Sequence, residues 1–450
     1  MAILAPFRGI FYNQEEINDL SQVVTPPYDV ITKGEQEGFY KRHPYNVIRL
    51  VLGKDLTEDS NEKNKYTRAA DYLKKWYGKG ILKEDVQPSI YYYQQEFFVK
   101  EEHRMKRNGF FALIKLEDFN SGIVLPHEKT MKGPKADRLR LMEACTANLS
   151  PIFSLYSDPE KKIDGVLEEQ KITPPFFNFV DENGSAHQLW KINDMDIVRK
   201  VAKEIKGNSL YIADGHHRYE TALNYSIQMK KTDSEFDGSE AYNYVMMYLS
   251  NMNDDGLVIL PTHRIIRNLE GFDTSIFKSK IGEYFHVKEF EFNSTNELQV
   301  RKELFLQLQR IGQQKPTFGL FLGGARCYNL LTLKSKDLLN SGMMDDIPSV
   351  LRGLDVSILQ TFILKHILNI NDRNMEYQKN VDFTEDGDEA IEMVKNDRYQ
   401  LAFLMNPTKV KQVKEAGCAN VRMPQKSTFF YPKLLCGLVF NNIQGRVSSL

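Results

Sequence analysis

Cysteine is scarce and scattered in this chain. The four residues, Cys145, Cys327, Cys418 and Cys436, include no Cys-x-x-Cys spacing. That excludes a disulfide framework and a zinc knuckle, and it fits a reducing cytosol. Long apolar runs are lacking too, since none approaches the ~20 residues that a bilayer-spanning helix requires. The opening Met-Ala-Ile-Leu-Ala-Pro-Phe-Arg has no charged stretch ahead of an apolar one and is interrupted by Pro6 and Arg8, so it does not read as a signal peptide. Net charge is almost absent: 59 Lys and Arg against 60 Asp and Glu leave −1. A chain so balanced has no global attraction for nucleic acid or an anionic membrane. The common phosphate-binding signatures are missing as well. There is no Gly-x-x-x-x-Gly-Lys-Ser/Thr, no Gly-x-Gly-x-x-Gly after a strand, and no protein-kinase set.

What is present suits a large folded protein. At 450 residues, 42% hydrophobic and 11% aromatic, the chain is long enough for two or three domains with sizeable cores. No internal repeat or low-complexity block interrupts it. Helical spacing of Ala69, Ala70, Leu73, Trp76 and Tyr77 predicts a helix over Tyr66–Tyr77, and the aromatic run Ser89–Val99 predicts a strand. Phe110–Ile114 reads as another strand, Ala136–Ala147 as a charged helix, and Ser157–Gly207 as a polar, mixed insertion. Tyr242–Leu249 and Leu257–Leu260 bracket Asn253-Asp254-Asp255-Gly256 and read as a hairpin. Beyond Asn268, strands at Phe318–Leu322, Leu330–Leu333 and Gln400–Met405 alternate with helices at Ile358–Ile367 and Thr408–Ala416. Met423–Lys433 reads as a polar loop. The alternation implies a mixed α/β or α+β class.

Residues 212–223, Ile-Ala-Asp-Gly-His-His-Arg-Tyr-Glu-Thr-Ala-Leu, carry the densest chemical signal. The apolar run from Leu210 reads as a buried strand that stops at Asp214-Gly215. A helix follows, with Tyr219, Ala222 and Leu223 on one face. Gly for close backbone approach, Arg for bidentate contact and His as further donors at a helix N-terminus suit a cluster of anionic oxygens. The plainer alternative is an ordinary strand-to-helix turn whose polar residues cap and solvate. Three more polar clusters lie near strands: His127-Glu128-Lys129-Thr130, Thr262-His263-Arg264, and Lys426-Ser427-Thr428 with Lys433. Together they hold the donors and carboxylates that phosphoryl transfer requires. Local pattern alone favours Glu128 as a surface residue opening the next helix over a general base. The run Lys129, Lys132, Lys135, Arg138 and Arg140 reads as an anion funnel or, more plainly, as a solvated helix face. A zinc set of His216, His217 and His263 is disfavoured, because adjacent histidines rarely reach one metal. His43, His103, His187, His286 and His366 lack motif context and are read as structural.

Asp214-Gly215-His216-His217-Arg218 after a strand resembles the phosphate-binding turn of the ParB/sulfiredoxin superfamily, and in particular its free-serine kinase branch. Leu125-Pro126-His127-Glu128 resembles the Pro-His-Glu motif that supplies that branch's catalytic glutamate. Tyr399–Met405, Pro407-Thr408-Lys409 and Met423–Thr428 resemble its closing strand, helix and Pro-Lys-Thr-Thr loop. In place of the Arg-His that follows the hydroxyl pair there, this chain has Phe429-Phe430. The whole chain is also similar to a longer bacterial family, once uncharacterised, that resembles pyrophosphate-dependent serine kinases. Its marks here are Thr25-Pro26-Pro27-Tyr28-Asp29-Val30-Ile31, Pro44-Tyr45-Asn46, the His-His-Arg block and Lys426–Lys433. The first hundred residues and the insertion before Asp214 have no counterpart in the short kinases.

The resemblance implies an N-terminal extension over 1–108, a ParB/sulfiredoxin-like phosphate-binding core over 109–268 and a C-terminal α/β domain over 269–450 that closes on substrate. It implies phosphorylation of free L-serine to O-phospho-L-serine, with pyrophosphate, ADP or ATP as donor. Glu128, Asp214 and His217 are then the catalytic residues. Gly215, His216, His217, Arg218, Thr262, His263 and Arg264 bind phosphate, and His127, Lys426, Ser427, Thr428 and Lys433 bind substrate. Asp214 orients the acceptor hydroxyl or holds Mg²⁺. The expected setting is cytoplasmic, as monomer or homodimer, with small-molecule partners and neither nucleic acid nor membrane. Residues 420–450 are expected to act as a lid whose removal leaves the core folded. A nucleotide-binding regulatory or DNA-associated protein and a non-catalytic phosphometabolite sensor remain the alternatives.

Overall fold

The computed structural model describes residues 1–450 apart from 100–102, 131, 377–378, 397 and 449–450; the side chains of Lys132 and Glu376 also fall outside the described set. The class is mixed α/β. The chain forms two compact units, one of residues 1–126, 130–258 and 432–450, the other of 127–129 and 259–431.

The first unit is built on a nine-stranded mixed sheet. Eight strands run in the order Val124–Leu125, Leu210–Asp214, Ile152–Tyr156, Tyr244–Asn251, His103–Lys115, Ile90–Val99, Ala186–Ile192 and Phe177–Val180, and Leu4–Ala5 pairs with the far end of His103–Lys115. The central strands are apolar on both faces because both are covered. Tyr92 packs against Trp190 at 5.9 Å, while Tyr91 takes Phe7 and Phe11 edge-on at 5.0 and 5.1 Å. The buried hydroxyl of Tyr91 donates to the Phe7 carbonyl at 2.9 Å and accepts from Gly9 N–H at 2.6 Å. It therefore reaches the interior without an orphaned polar group.

Several expectations change. The boundary at 108/109 fails, because it would cut the single strand His103–Lys115. Polar Arg104–Asn108 mask its continuity in sequence. The first hundred residues are thus part of the sheet. Tyr242–Leu249 and Leu257–Leu260 form no hairpin: Tyr244–Asn251 is bonded on both edges, to His103–Lys115 and Ile152–Tyr156, leaving no edge to pair. The 157–207 insertion is ordered structure. It contributes two strands and the helix Met195–Lys206, which is capped by Asp194 and buries Val198, Val201 and Ile205 along one stripe.

The tail is not a detachable lid. Residues 432–450 belong to the first unit, where Leu434, Leu435, Cys436, Leu438, Val439, Phe440 and Ile443 are all buried. Cys436 pairs with Thr25 and Phe440 with Ile10 through backbone hydrogen bonds. Apolar burial of this extent means that removing the segment strips core rather than cover.

The second unit starts at Ile259 and ends at Tyr431, not at 269 and 450. Its six-stranded sheet is antiparallel throughout, in the order Phe285–Glu291, Cys327–Leu333, Thr317–Leu322, Leu401–Leu404, His263–Ile266, Val381–Thr384. The helices Glu297–Gly312 and Gly387–Lys395 bury Leu304, Leu308, Ala390, Ile391 and Val394 in one cluster with Phe321, Tyr328 and Leu404.

Gly109 sits where the strand His103–Lys115 crosses its neighbour. A methyl group there would meet the Leu249 carbonyl and come 2.5 Å from Tyr248 Cζ. Gly109→Ala is expected to cost about 1–3 kcal/mol, the range for overpacking a filled site, read as a lower urea midpoint at unchanged slope. An unshifted midpoint would show that the crossing relaxes freely.

Candidate functional site

In the first unit the strand Leu210–Asp214 ends in a turn at Gly215, and the seventeen-residue helix His216–Thr232 begins at once. Gly215 has φ +92°, a left-handed conformation that favours glycine. A Cβ there would also lie 2.9 Å from Arg218 Nε, so the missing side chain makes room for the guanidinium. The first N–H groups of a helix have no intrahelical partner and carry the positive end of its dipole. At this terminus Asp214 Oδ1 accepts from Gly215 N–H at 2.9 Å, and its Oδ2 lies 3.6 Å from Arg218 and 3.5 Å from Lys433 Nζ. Burial works to raise the Asp214 carboxyl, but Lys433, Arg218 and His216 outweigh it and hold the group well below the ordinary aspartate range. Arg218 also donates to the Pro151 carbonyl. Burial opposes its charge, and Asp214 and Asp29 more than restore it.

Residues that carried no role in the sequence surround this turn. Tyr28 and Asp29 of the Thr-Pro-Pro-Tyr-Asp motif bear electrostatically on Arg218. The Arg138 guanidinium stacks 3.9 Å from the Tyr28 ring centroid. Burial and Asp29 push the Tyr28 hydroxyl up to about 12. Cys436 Sγ lies 2.9 Å from Ser150 Oγ, beside the Thr25 pairing. Arg107 is entirely buried, donating to Gln95 Oε1 at 2.6 Å and to the Pro432 carbonyl at 2.8 Å, with Phe153 4.8 Å from its guanidinium. It thereby fixes the residue next to Lys433. The only sequence signals for these groups were the repeated prolines and the basic run; their convergence depends on long-range packing.

The second unit holds the other set. His127 and Glu128 run parallel to Met423, and Met423 N–H donates to the His127 carbonyl at 2.7 Å. Glu128 Oε1 accepts from Lys426 N–H at 2.7 Å, and His127 Nε2 is 2.9 Å from Thr428 Oγ1. Arg264 donates to the Lys426 carbonyl at 3.0 Å and to that of Thr262. Burial pulls its guanidinium down to about 10 against the supporting charge of Glu128. Lys426 adopts φ +55°, uncommon for a residue with a side chain. Thr262 Oγ1 is buried without a hydrogen bond among the described residues.

Two expected ligand groups are turned to structure. His263 is buried, and its Nδ1 accepts from Met405 N–H at 2.9 Å, which ties the ring to the neighbouring strand. Ser427 is buried, its hydroxyl donating to the Pro424 carbonyl at 2.5 Å within the loop. Lys433 stands with Asp214 in the first unit, whereas Lys426–Thr428 belong to the second. In the basic run, Lys135 pairs with Glu220 at 2.6 Å and Arg138 pairs with Asp137, so those two cations are already matched; the Lys132 side chain lies outside the described residues.

Among the described residues no three His, Cys, Asp or Glu side chains gather for a metal, and Asp214 already faces two cations.

A glycine turn joining a buried strand to a helix N-terminus, with Arg218 and Lys433 converging on Asp214, is the charged cluster of the first unit in this mixed α/β protein. The chain belongs to the DUF1015 family, described as a protein of unknown function, whose model matches residues 4–357. No curated protein matches its sequence. Similar solved structures include a conserved hypothetical protein from Pyrococcus furiosus, at 10% identity and a TM-score of 0.34 over 72% of this chain and 92% of that one. Free serine kinase in complex with AMP overlaps at 10% identity and a TM-score of 0.35, over 75% and 91%. SbnI with C-terminal truncation from Staphylococcus aureus overlaps at 10% identity and 0.33, over 74% and 87%.

The lowered Asp214 carboxyl gives a direct test. Its pairing stabilises the fold above the unfolded-state value near ~3.9 and is lost as pH falls through the lower folded-state value. Lys433→Met removes the strongest opposing charge. The Asp214 titration, followed by carboxyl ¹³C NMR, is then expected to move up towards the ordinary range; an unchanged midpoint would remove Lys433 from the cluster.

Proposed function

We propose that this chain is a small-molecule phosphotransferase that phosphorylates free L-serine to O-phospho-L-serine. The donor is pyrophosphate or a nucleotide, ADP or ATP, with pyrophosphate favoured by the resemblance to the longer family. The observation that carries the proposal is the convergence of Arg218, Lys433 and the helix N-terminus on Asp214 at the Gly215 turn. Fixed cations and backbone N–H groups at one point are what a transferring phosphoryl group needs, because its catalysis is mostly positioning and charge neutralisation.

In this reading Gly215, His216, His217 and Arg218 cradle the donor phosphate, and Lys433 adds charge beside them. Glu128 accepts the proton of the serine hydroxyl. The serine oxygen bonds to phosphorus as the bond to the leaving phosphate or nucleotide breaks. His127, Lys426 and Thr428 hold the acceptor, and Arg264 supports Glu128. Asp214 and the donor oxygens would hold Mg²⁺, which would supply neutralising charge on the transferring group.

The test is a donor panel of pyrophosphate, ADP and ATP with L-serine and Mg²⁺, followed by detection of O-phosphoserine. Glu128→Gln is expected to lower kcat by about 10²-fold or more with little change in donor affinity. Wild-type kcat in that variant would pass the carboxylate role to Asp214. Arg218→Ala is expected to weaken both donor binding and rate, and Arg218→Lys to rescue poorly, since a point charge does not reproduce the planar fork.

A further inference from the structure

A cavity of about 150 Å³ opens at the end of the second unit's sheet where Thr317–Leu322 begins and Leu401–Leu404 ends. The polar residues lining it include half-buried Asp355, the exposed Lys315 and Lys409, and Asn406, Thr408 and Gln412. The volume is well under the ~300–1,000 Å³ typical of pockets for drug-sized ligands, so the cavity suits a molecule of a few heavy atoms and not a nucleotide. Its walls are tied to the candidate site of the same unit. Thr408 Oγ1 donates to the Ser427 carbonyl at 2.6 Å, and Met405, next to Asn406, donates to His263.

We propose that this cavity receives the charged end of a small free amino acid, its ammonium group against Asp355 and its carboxylate against Lys409. The inference rests on the phosphotransferase reading in one respect, that this amino acid is the acceptor. A carboxylate and ammonium groups spaced around a small hollow match a zwitterion in both sign and size. An uncharged sugar or an inorganic anion would leave one of them unanswered. Burial pushes the Asp355 carboxyl up to about 7, with Asn406 and Lys409 only partly countering it. An incoming ammonium adds opposite charge beyond what Lys409 supplies and so favours the ionised form. Binding therefore expels a proton below about pH 7, and affinity rises with pH towards that value. The charged groups lining the cavity with Asp355 are Lys315 and Lys409.

The experiment is calorimetric titration of the full chain with L-serine, L-threonine, L-alanine and L-aspartate, in buffers of differing ionisation heat at pH 6. Asp355→Asn is compared with the wild type, and Lys409→Gln, at an exposed position, guards against misfolding. At least one amino acid is expected to bind the wild type with proton release. Each variant is expected to bind it ten-fold or more weakly, with the proton release gone in Asp355→Asn and pyrophosphate binding unmoved. Equal affinity in both variants, or no amino-acid binding to the wild type, overturns the proposal. The two readings separate cleanly. Variant-sensitive binding without any phosphoserine in the donor panel keeps the cavity and removes the kinase. Phosphoserine formed with an unchanged serine KM in both variants keeps the kinase and removes the cavity.

Discussion

Asp214 gathers the first unit's chemistry around one buried negative charge. A carboxylate removed from water is costly alone, and Lys433, Arg218 and the start of the helix His216–Thr232 offset that cost together. The dependence runs the other way as well, since the two cations would repel each other without the carboxylate between them. Lys433 is brought there by the Pro432 segment that Arg107 holds, and Arg218 by the glycine that leaves room for its guanidinium. Local strand-to-helix geometry, a buried arginine three strands away and the C-terminal tail therefore share one electrostatic requirement. Such coupling keeps the donors in place before any ligand arrives, which is where electrostatic catalysis gains most.

The second unit solves a different problem, that of holding an irregular loop rigid. Glu128 accepts from the Lys426 N–H, Arg264 donates to the carbonyl of the same residue, and Thr428 meets His127. These contacts fix Lys426 in its left-handed conformation, a strain of the kind that accumulates at functional loops. Ser427 and His263 serve the same end by bonding to backbone, which is why two residues with good ligand chemistry are used as fasteners.

The turn at Asp214–Arg218 was legible in the sequence because everything that makes it is local: a buried run, a glycine at positive φ and a helix start within nine residues. The proximity of His127 and Glu128 to Lys426–Thr428 was suggested only by family resemblance, as three hundred residues separate them. Arg107 left no signal of function, and Tyr28, Asp29 and Arg138 only the weak ones of a proline-rich family mark and a basic run, because such residues look like ordinary surface until the sheet is assembled. Asp355 is the same case, an acid in an unremarked segment that packing places in a hollow. The missed helix Met195–Lys206 had both its Asp194 cap and its apolar stripe in view, masked by the polar residues between them. The imagined hairpin failed because pairing partners are chosen by which edges stay open, a property no local window contains.

The interleaving of the chain has a consequence for synthesis. Every residue of the second unit is already in hand once position 431 has been made, whereas the first unit, begun at residue 1, still lacks 432–450. Throughout the translation of 259–431, about ten to thirty seconds at typical rates of ~5–20 residues per second, the nascent first unit carries open apolar grooves where Phe440 and its neighbours later sit. Ribosomes that stall or terminate early release chains with that surface uncovered, natural clients for chaperones and proteases. A chain that stops short of residue 432 would therefore leave the first unit without the apolar side chains that fill those grooves.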